Sequence, residues 1–235
     1  MSFSVFKTDQ WQKLTFNKKK EALQELENEM AEKQGRTARN IETARLPMDG
    51  YYDGIRASGS LFINENYLKV DCKNYEAMEI IIHEGRHAYQ DDAIVAYIAD
   101  SIETCGLNNK PDILVIASWM RNLLVYNQPH GGLVSKIRYR FQPRERDAFD
   151  YAYDEMQSFV ALFSGDTFFR GYIDDKTLIR EDWKSKEEVF LSSVNSSSSC
   201  EDYCSKDTFD MYNIFVKKYC KILFTSYGES HHIFL

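Results

Sequence analysis

No uninterrupted apolar run in this chain approaches the ~18 residues a bilayer-spanning helix requires, so no membrane span is expected. The first residues lack the apolar core of a cleavable leader. A cytoplasmic location is therefore expected, or export without a cleavable signal peptide. The five cysteines, Cys72, Cys105, Cys200, Cys204 and Cys220, are odd in number and build no disulfide framework, which suits reduced thiols in a cytosol. Basic residues form no block interleaved with aromatics. Lys18-Lys19-Lys20 is expected to be a solvated helix turn, and the net charge is −7, so neither nucleic acid nor membrane is expected as a partner. Proline is scarce, at four residues, and there is no internal repeat. What is plentiful is core-forming material: 43% of the 235 residues are hydrophobic and 14% aromatic. A chain of this length buries about 70–75% of its unfolded surface.

Histidine is also scarce, with five in all, yet two of them flank a glutamate in His83-Glu84-Gly85-Arg86-His87. On a helix, residues i and i+4 stand one above the other. His83 and His87 can then aim two imidazoles at one ion about 2.0–2.1 Å from each nitrogen. Glu84 is rotated by about 100° and stands beside the ion, where it can take a proton from activated water. No proline interrupts Tyr75 to Gln90, and Asn74 is the expected N-cap. Met78, Ile81, Ile82, Gly85, Ala88 and Tyr89 form one apolar stripe. His83 and His87 share the opposite face with Glu76, Glu79 and Gln90, a face expected to look into a cleft. Gly85 costs roughly 1 kcal/mol against alanine within a helix, which implies close approach of a neighbouring element.

A catalytic zinc needs a third protein ligand. Pro143 to Phe163 reads as a second helix, with proline in its first turn. Ala148, Phe149, Ala152, Met156, Phe159, Val160 and Phe163 mark its buried stripe, and Glu145 falls at the centre of that stripe. A carboxylate aimed at a core is costly unless it is paired or holds a metal. Glu145 is therefore the expected third ligand, with Glu155, at the stripe's edge, as second choice.

His83 to Gln90, followed by Gln142 to Phe149, resembles the gluzincin type of zincin, and in particular small bacterial zincin-like domains with an H-E-x-R-H-x-Y-Q core. The resemblance covers roughly residues 45 to 165. It implies that His83, His87 and Glu145 bind Zn2+ and that Glu84 is the general base. One departure stands out. Thermolysin-like gluzincins carry an aspartate four residues after the ligand glutamate, where this chain has Phe149. Support for a ligand histidine must then come from Asp147, Asp150 or a backbone carbonyl. By the same analogy, Ser60 to Asn64 is either the sheet edge that pairs with an extended peptide or an ordinary internal strand.

The expected fold class is α+β, mainly helical: a zincin-like core with a small sheet beside the H-E-x-x-H helix. Residues 1–165 would form that core with an N-terminal helix, and 166–235 a helical C-terminal extension. Asn17 is expected to cap a surface helix, with a narrow apolar face, that runs to Gln34 and stops at Gly35. Arg36 to Tyr52 reads as an irregular crossing. Asp112 to Asn127 reads as a helix capped by Asp112, with Ile113 to Val125 in the core. Gly165 to Asp175 reads as a connection, Trp183 to Val194 as a helix, Asn195 to Ser199 as a loop, and Lys206 to Phe224 as a last helix. Cys200 and Cys204 with His231 and His232 read as a plain loop and tail, or else as a structural zinc site. The expected function is a zinc metallopeptidase acting on a protein or peptide substrate. The alternatives are a zincin-like toxin or effector, or a metal-binding regulator without general proteolysis. Candidate oxyanion donors are His130, Tyr139 and Arg86.

Overall fold

In the computed structural model, residues 3–54, 59–128 and 132–196 are described, without the side chains of Val134 and of 190–196. The expectations for His130, Cys200, Cys204, His231, His232 and the helix at 206–224 lie outside these residues. The chain divides into two compact units, Met1–Lys186 and Glu187–Leu235. Of the second, the described part is the end of one helix.

The first unit is α+β and mainly helical. A 3-10 turn (Phe3–Phe6) and short α1 (Thr8–Trp11) lead into α2 (Phe16–Gln34). Strands β1 (Asn40–Ala44), β2 (Gly50–Asp53) and β3 (Ser60–Asn64) follow, then short α3 (Asn66–Lys69). Five further helices complete the described chain: α4 (Asn74–Ile98), α5 (Ile113–Leu124), α6 (Gly132–Phe141), α7 (Pro143–Ser158) and α8 (Thr167–Ser196).

Helix α4 forms the centre. It packs against α2, α5, α7, β2 and β3. Its apolar stripe lies as the periodicity predicts: Met78, Ile81, Ile82, Ala88 and Tyr89 are all buried. The opposite face is not open to a broad cleft, because His83, Glu84, His87 and Gln90 are buried too. Asn74 is the first helical residue rather than the cap. Its carboxamide donates to the Phe6 carbonyl at 2.7 Å and so ties the N-terminal segment to α4.

Helix α2 is capped by Thr15, two residues before the expected cap, where the Thr15 hydroxyl accepts from the Lys18 N–H. It ends at Gly35 as expected, in the left-handed conformation at φ 69°. It is more deeply embedded than a narrow apolar face implies. Leu23 and Leu26 are fully buried, and so are the charged ends of Lys19, bonded to the Leu68 carbonyl, and Glu27, paired with Arg36.

The sheet has the order β1-β3-β2, with β1 parallel and β2 antiparallel to β3. Ser60–Asn64 is thus the central strand, which removes the edge-strand reading for it. Leu61 and Ile63 point into the core, while Phe62 on the other face stacks on Tyr51 at 4.6 Å. The expected irregular crossing from Arg36 to Tyr52 in fact holds β1 and begins β2.

Asp112 caps α5 through the Leu114 N–H at 2.7 Å, as predicted. The helix is one-sided rather than core: Ile116, Trp119 and Met120 are buried, whereas Ile113 and Leu114 face outward. The expected connection from Gly165 to Asp175 lies mostly in α8, whose Asp166 accepts from the N–H groups of Phe168 and Phe169. Phe169 and Ile173 of that helix join the same hydrophobic core as α4 and α7. Asn195 is helical, not loop.

Candidate metal centre

Helices α4 and α7 bring three ligand-type side chains to one point. His83 and His87 stand one turn apart on α4, with ring centroids 4.8 Å apart. Glu145 enters from the first turn of α7, which Pro143 opens, and its residue exposure is 1%. His83 Nε2 lies 3.4 Å from Glu145 Oε2, and His87 Nε2 lies 3.1 Å from Oε1. One ligand atom from each residue falls within 4.8 Å of the others. Ligands about 2.0–2.1 Å from a tetrahedral ion stand about 3.3 Å apart, so the spacing suits zinc. Two imidazole nitrogens and one carboxylate oxygen are also the donor set of catalytic zinc sites. Glu145 Oε2 is buried with no hydrogen-bond partner among the described residues. An orphaned oxygen at the meeting point is what a cation would satisfy.

Glu155, the second choice, lies elsewhere: both its oxygens accept from Lys33 Nζ at 2.7 Å. Burial alone would raise the Glu145 pKa, but His87 and His83 outweigh it and hold the carboxyl well below the usual range. Burial opposes charge on His87, and Glu145 overcomes this and raises its pKa. In the metal-free centre Glu145 thus favours a proton on His87, which a metal ion would displace. Glu84 stands beside the pair. Burial pushes its pKa up, partly offset by His83 and His87, and the Tyr52 N–H of β2 bonds it. A carboxylate shifted upward is better matched to proton transfer near neutrality.

Gln90, which sequence reasoning placed on the polar face without a role, orients His87. Its Nε2 donates to the Arg144 carbonyl at 3.0 Å and to Asp147 Oδ2 at 2.7 Å. Its Oε1 accepts from Arg144 Nε at 3.0 Å, so the amide orientation is fixed. That oxygen lies 2.9 Å from His87 Nδ1 and can only accept there. Nδ1 therefore carries a proton, and Nε2 is left facing Glu145, where its lone pair can serve a metal ion once any proton there is displaced. Asp147, one of the expected supports, acts one step removed through Gln90. Asp150 instead pairs with Arg146 at 3.8 Å and Arg180 at 3.6 Å. His83 has no such brace among the described residues: its Nδ1 is buried without a partner there, and Phe149 packs on its ring at 4.3 Å. The residue three positions after His87 lies on the same helix face, a signal that was readable from the sequence.

Among the oxyanion candidates, Arg86 is committed to structure. It holds Asp147 with two bonds, at 2.8 and 3.0 Å, and lies over the rings of Tyr89 and Tyr151. Tyr139 lies on helix α6 and is edge-on to Tyr126 at 6.1 Å. Tyr126, which sequence reasoning missed, donates to Glu145 Oε1 at 2.6 Å. Burial and then Glu145 raise the pKa of both phenols, so both remain neutral donors. An open groove of about 430 Å³ lined by Phe3, Met30, Lys33, Glu155 and Phe159 contains none of the motif residues. No described helix is long and apolar enough to cross a membrane.

No protein-family model matches the chain, and no curated protein or solved structure matches it either.

Proposed function

We propose that this chain is a zinc-dependent peptidase of the zincin-like, gluzincin type, which hydrolyses a peptide bond in a protein or peptide substrate. The observation that carries the reading is the convergence of His83 Nε2, His87 Nε2 and Glu145 with Glu84 beside them. His83, His87 and Glu145 would hold the ion. Zinc, when bound, lowers the pKa of its water toward about 7 and polarises a carbonyl. Glu84 then takes the proton from the attacking water and passes it to the leaving amine. Gln90 keeps the His87 lone pair aimed inward throughout. Tyr139 is the neutral hydroxyl available to serve developing negative charge, while Tyr126 spends its one O–H on Glu145.

The sheet supports an extended substrate, though along a different strand from the one sequence suggested. Edge strand β2 lies beside α4. A side chain at Gly50 would meet Ile80 and the Phe62 carbonyl and approach Glu84. A peptide added to the outer edge of β2 would run past Glu84.

Burial of the four motif residues favours a second reading, a protein that retains zinc without turnover. Comparing proteome cleavage by zinc-loaded wild type and Glu84→Gln separates the two. New termini made only by wild type support the peptidase. Identical profiles with zinc retained in both support the non-hydrolytic protein.

A further inference from the structure

Among the described residues Arg140, near the end of α6, is a charge without a carboxylate of its own. Its guanidinium lies over the Phe149 ring, 4.0 Å from the centroid. The same ring packs against His83, with centroids 4.3 Å apart. The guanidinium carbon is therefore no farther from His83 than those two distances laid end to end. Its Nη1 is buried with no hydrogen-bond partner among the described residues. The charged groups that influence it are Asp150, Glu145, Arg180 and Glu79. Each carboxylate is already engaged: Asp150 by Arg146 and Arg180, Glu145 by the two histidines and Tyr126, and Glu79 by Tyr172 and Lys176. A partly buried guanidinium beside a hydrolytic centre, with five N–H donors in a planar fork, is built to take a carboxylate.

We propose that Arg140 is a specificity residue that binds a substrate carboxylate within about two residues of the cleaved bond, since an extended chain spans at most about 3.3–3.6 Å per residue. This rests on the peptidase reading for the identity of the ligand, but not for the existence of the anion site. The preferred substrates are peptides with a free C-terminus or an acidic side chain close to the scissile bond. A neutral amide at that place leaves the guanidinium unpaired and is discriminated against.

The first test needs neither zinc nor turnover. Acetate is titrated into the metal-free protein while the arginine Nε–H resonances are followed by NMR. A saturable shift at Arg140, lost in Arg140→Met and weakened in Arg140→Lys, is expected. No saturable shift at Arg140, or the same acetate binding by Arg140→Met, overturns the proposal. The second test uses zinc-loaded protein on matched synthetic peptides: free acid against C-terminal amide, and Asp or Glu against Asn or Gln near the cut. Arg140→Met, checked for unchanged zinc content and melting, should raise KM for the carboxylate peptides roughly tenfold to a hundredfold, with kcat little altered. The arm that responds identifies the source of the carboxylate. Equal cleavage of all four peptides by wild type overturns the proposal. Acetate binding at Arg140 without any cleavage leaves the anion site standing and removes the peptidase reading instead.

Discussion

Replacing Gly85 with alanine should destabilise this protein, against the ordinary expectation for a glycine within a helix. A Cβ at Gly85 would stand 2.6 Å from Arg36 Nη2 and 2.9 Å from Glu27 Oε2. Both are ends of side chains, but neither is free to swing. Glu27 and Arg36 form a two-pronged pair, at 2.6 and 2.8 Å, with no solvent exposure on either side chain. Glu27 Oε1 also accepts the Arg39 N–H at 2.8 Å. The pair therefore cannot move without leaving buried charge unmatched. Alanine gains about 1 kcal/mol of helix propensity. Breaking a buried pair outright costs about 3–5 kcal/mol, and displacing it partway about half of that or more, so the net loss is about 1–3 kcal/mol. For a unit of this size that lowers Tm by roughly 3–9 °C. Differential scanning calorimetry of Gly85→Ala reads the sign directly. The same substitution in a Glu27→Leu/Arg36→Met background should be neutral or stabilising, because no charged ends remain to be displaced. A higher Tm for Gly85→Ala in the wild-type background would refute the reasoning.

Three further outcomes follow from other parts of the structure. Glu145→Ala should weaken zinc binding far more than Glu155→Ala, read by competition with a chelating dye; the reverse order would show that the wrong carboxylate was chosen. Gln90→Leu should free the His87 ring and lower zinc affinity about 10–100-fold, with the loss of the Nδ1–H hydrogen bond to Gln90 visible as a shifted Nδ1 resonance by 15N NMR; an unchanged Nδ1 resonance would remove Gln90 as its determinant. Asp166 joins α8 to the N-terminal segment by accepting from Tyr75 Oη and the Thr8 N–H, 2.7 and 2.8 Å away. Burial raises its pKa, but Tyr75, Thr8, Phe169 and Phe168 outweigh this and hold it below the ordinary value. Its charge therefore stabilises the fold above the unfolded pKa of about 3.9, and that contribution is lost as pH falls through the lower folded value. Urea melts should show the wild-type advantage over Asp166→Asn shrinking as pH drops from about 6 to about 3; an advantage independent of pH would contradict this assignment.

Much of the core arrangement was legible because it is local. The stripe around His83, the inward position of Glu145, the stop at Gly35 and the Asp112 cap all follow from residues within a turn or two of one another. The sheet was only partly legible for the opposite reason. β1 has a single buried residue, Ile41, and pairs in parallel with β3 from 20 residues away, so its own sequence carries almost no alternation. Tyr126 had no local signal, since it reaches Glu145 from beyond the end of α5. The expected connection after Gly165 overlooked a readable cap at Asp166.

The account stands on a divalent ion held between α4 and α7. The most direct measurement is a crystal structure of zinc-reconstituted protein, with anomalous data collected at the zinc edge. One peak per chain is predicted, bonded to His83 Nε2, His87 Nε2 and a Glu145 oxygen at about 2.0–2.2 Å, with an open position facing Glu84. No peak there, or zinc bound only by other residues, would contradict it.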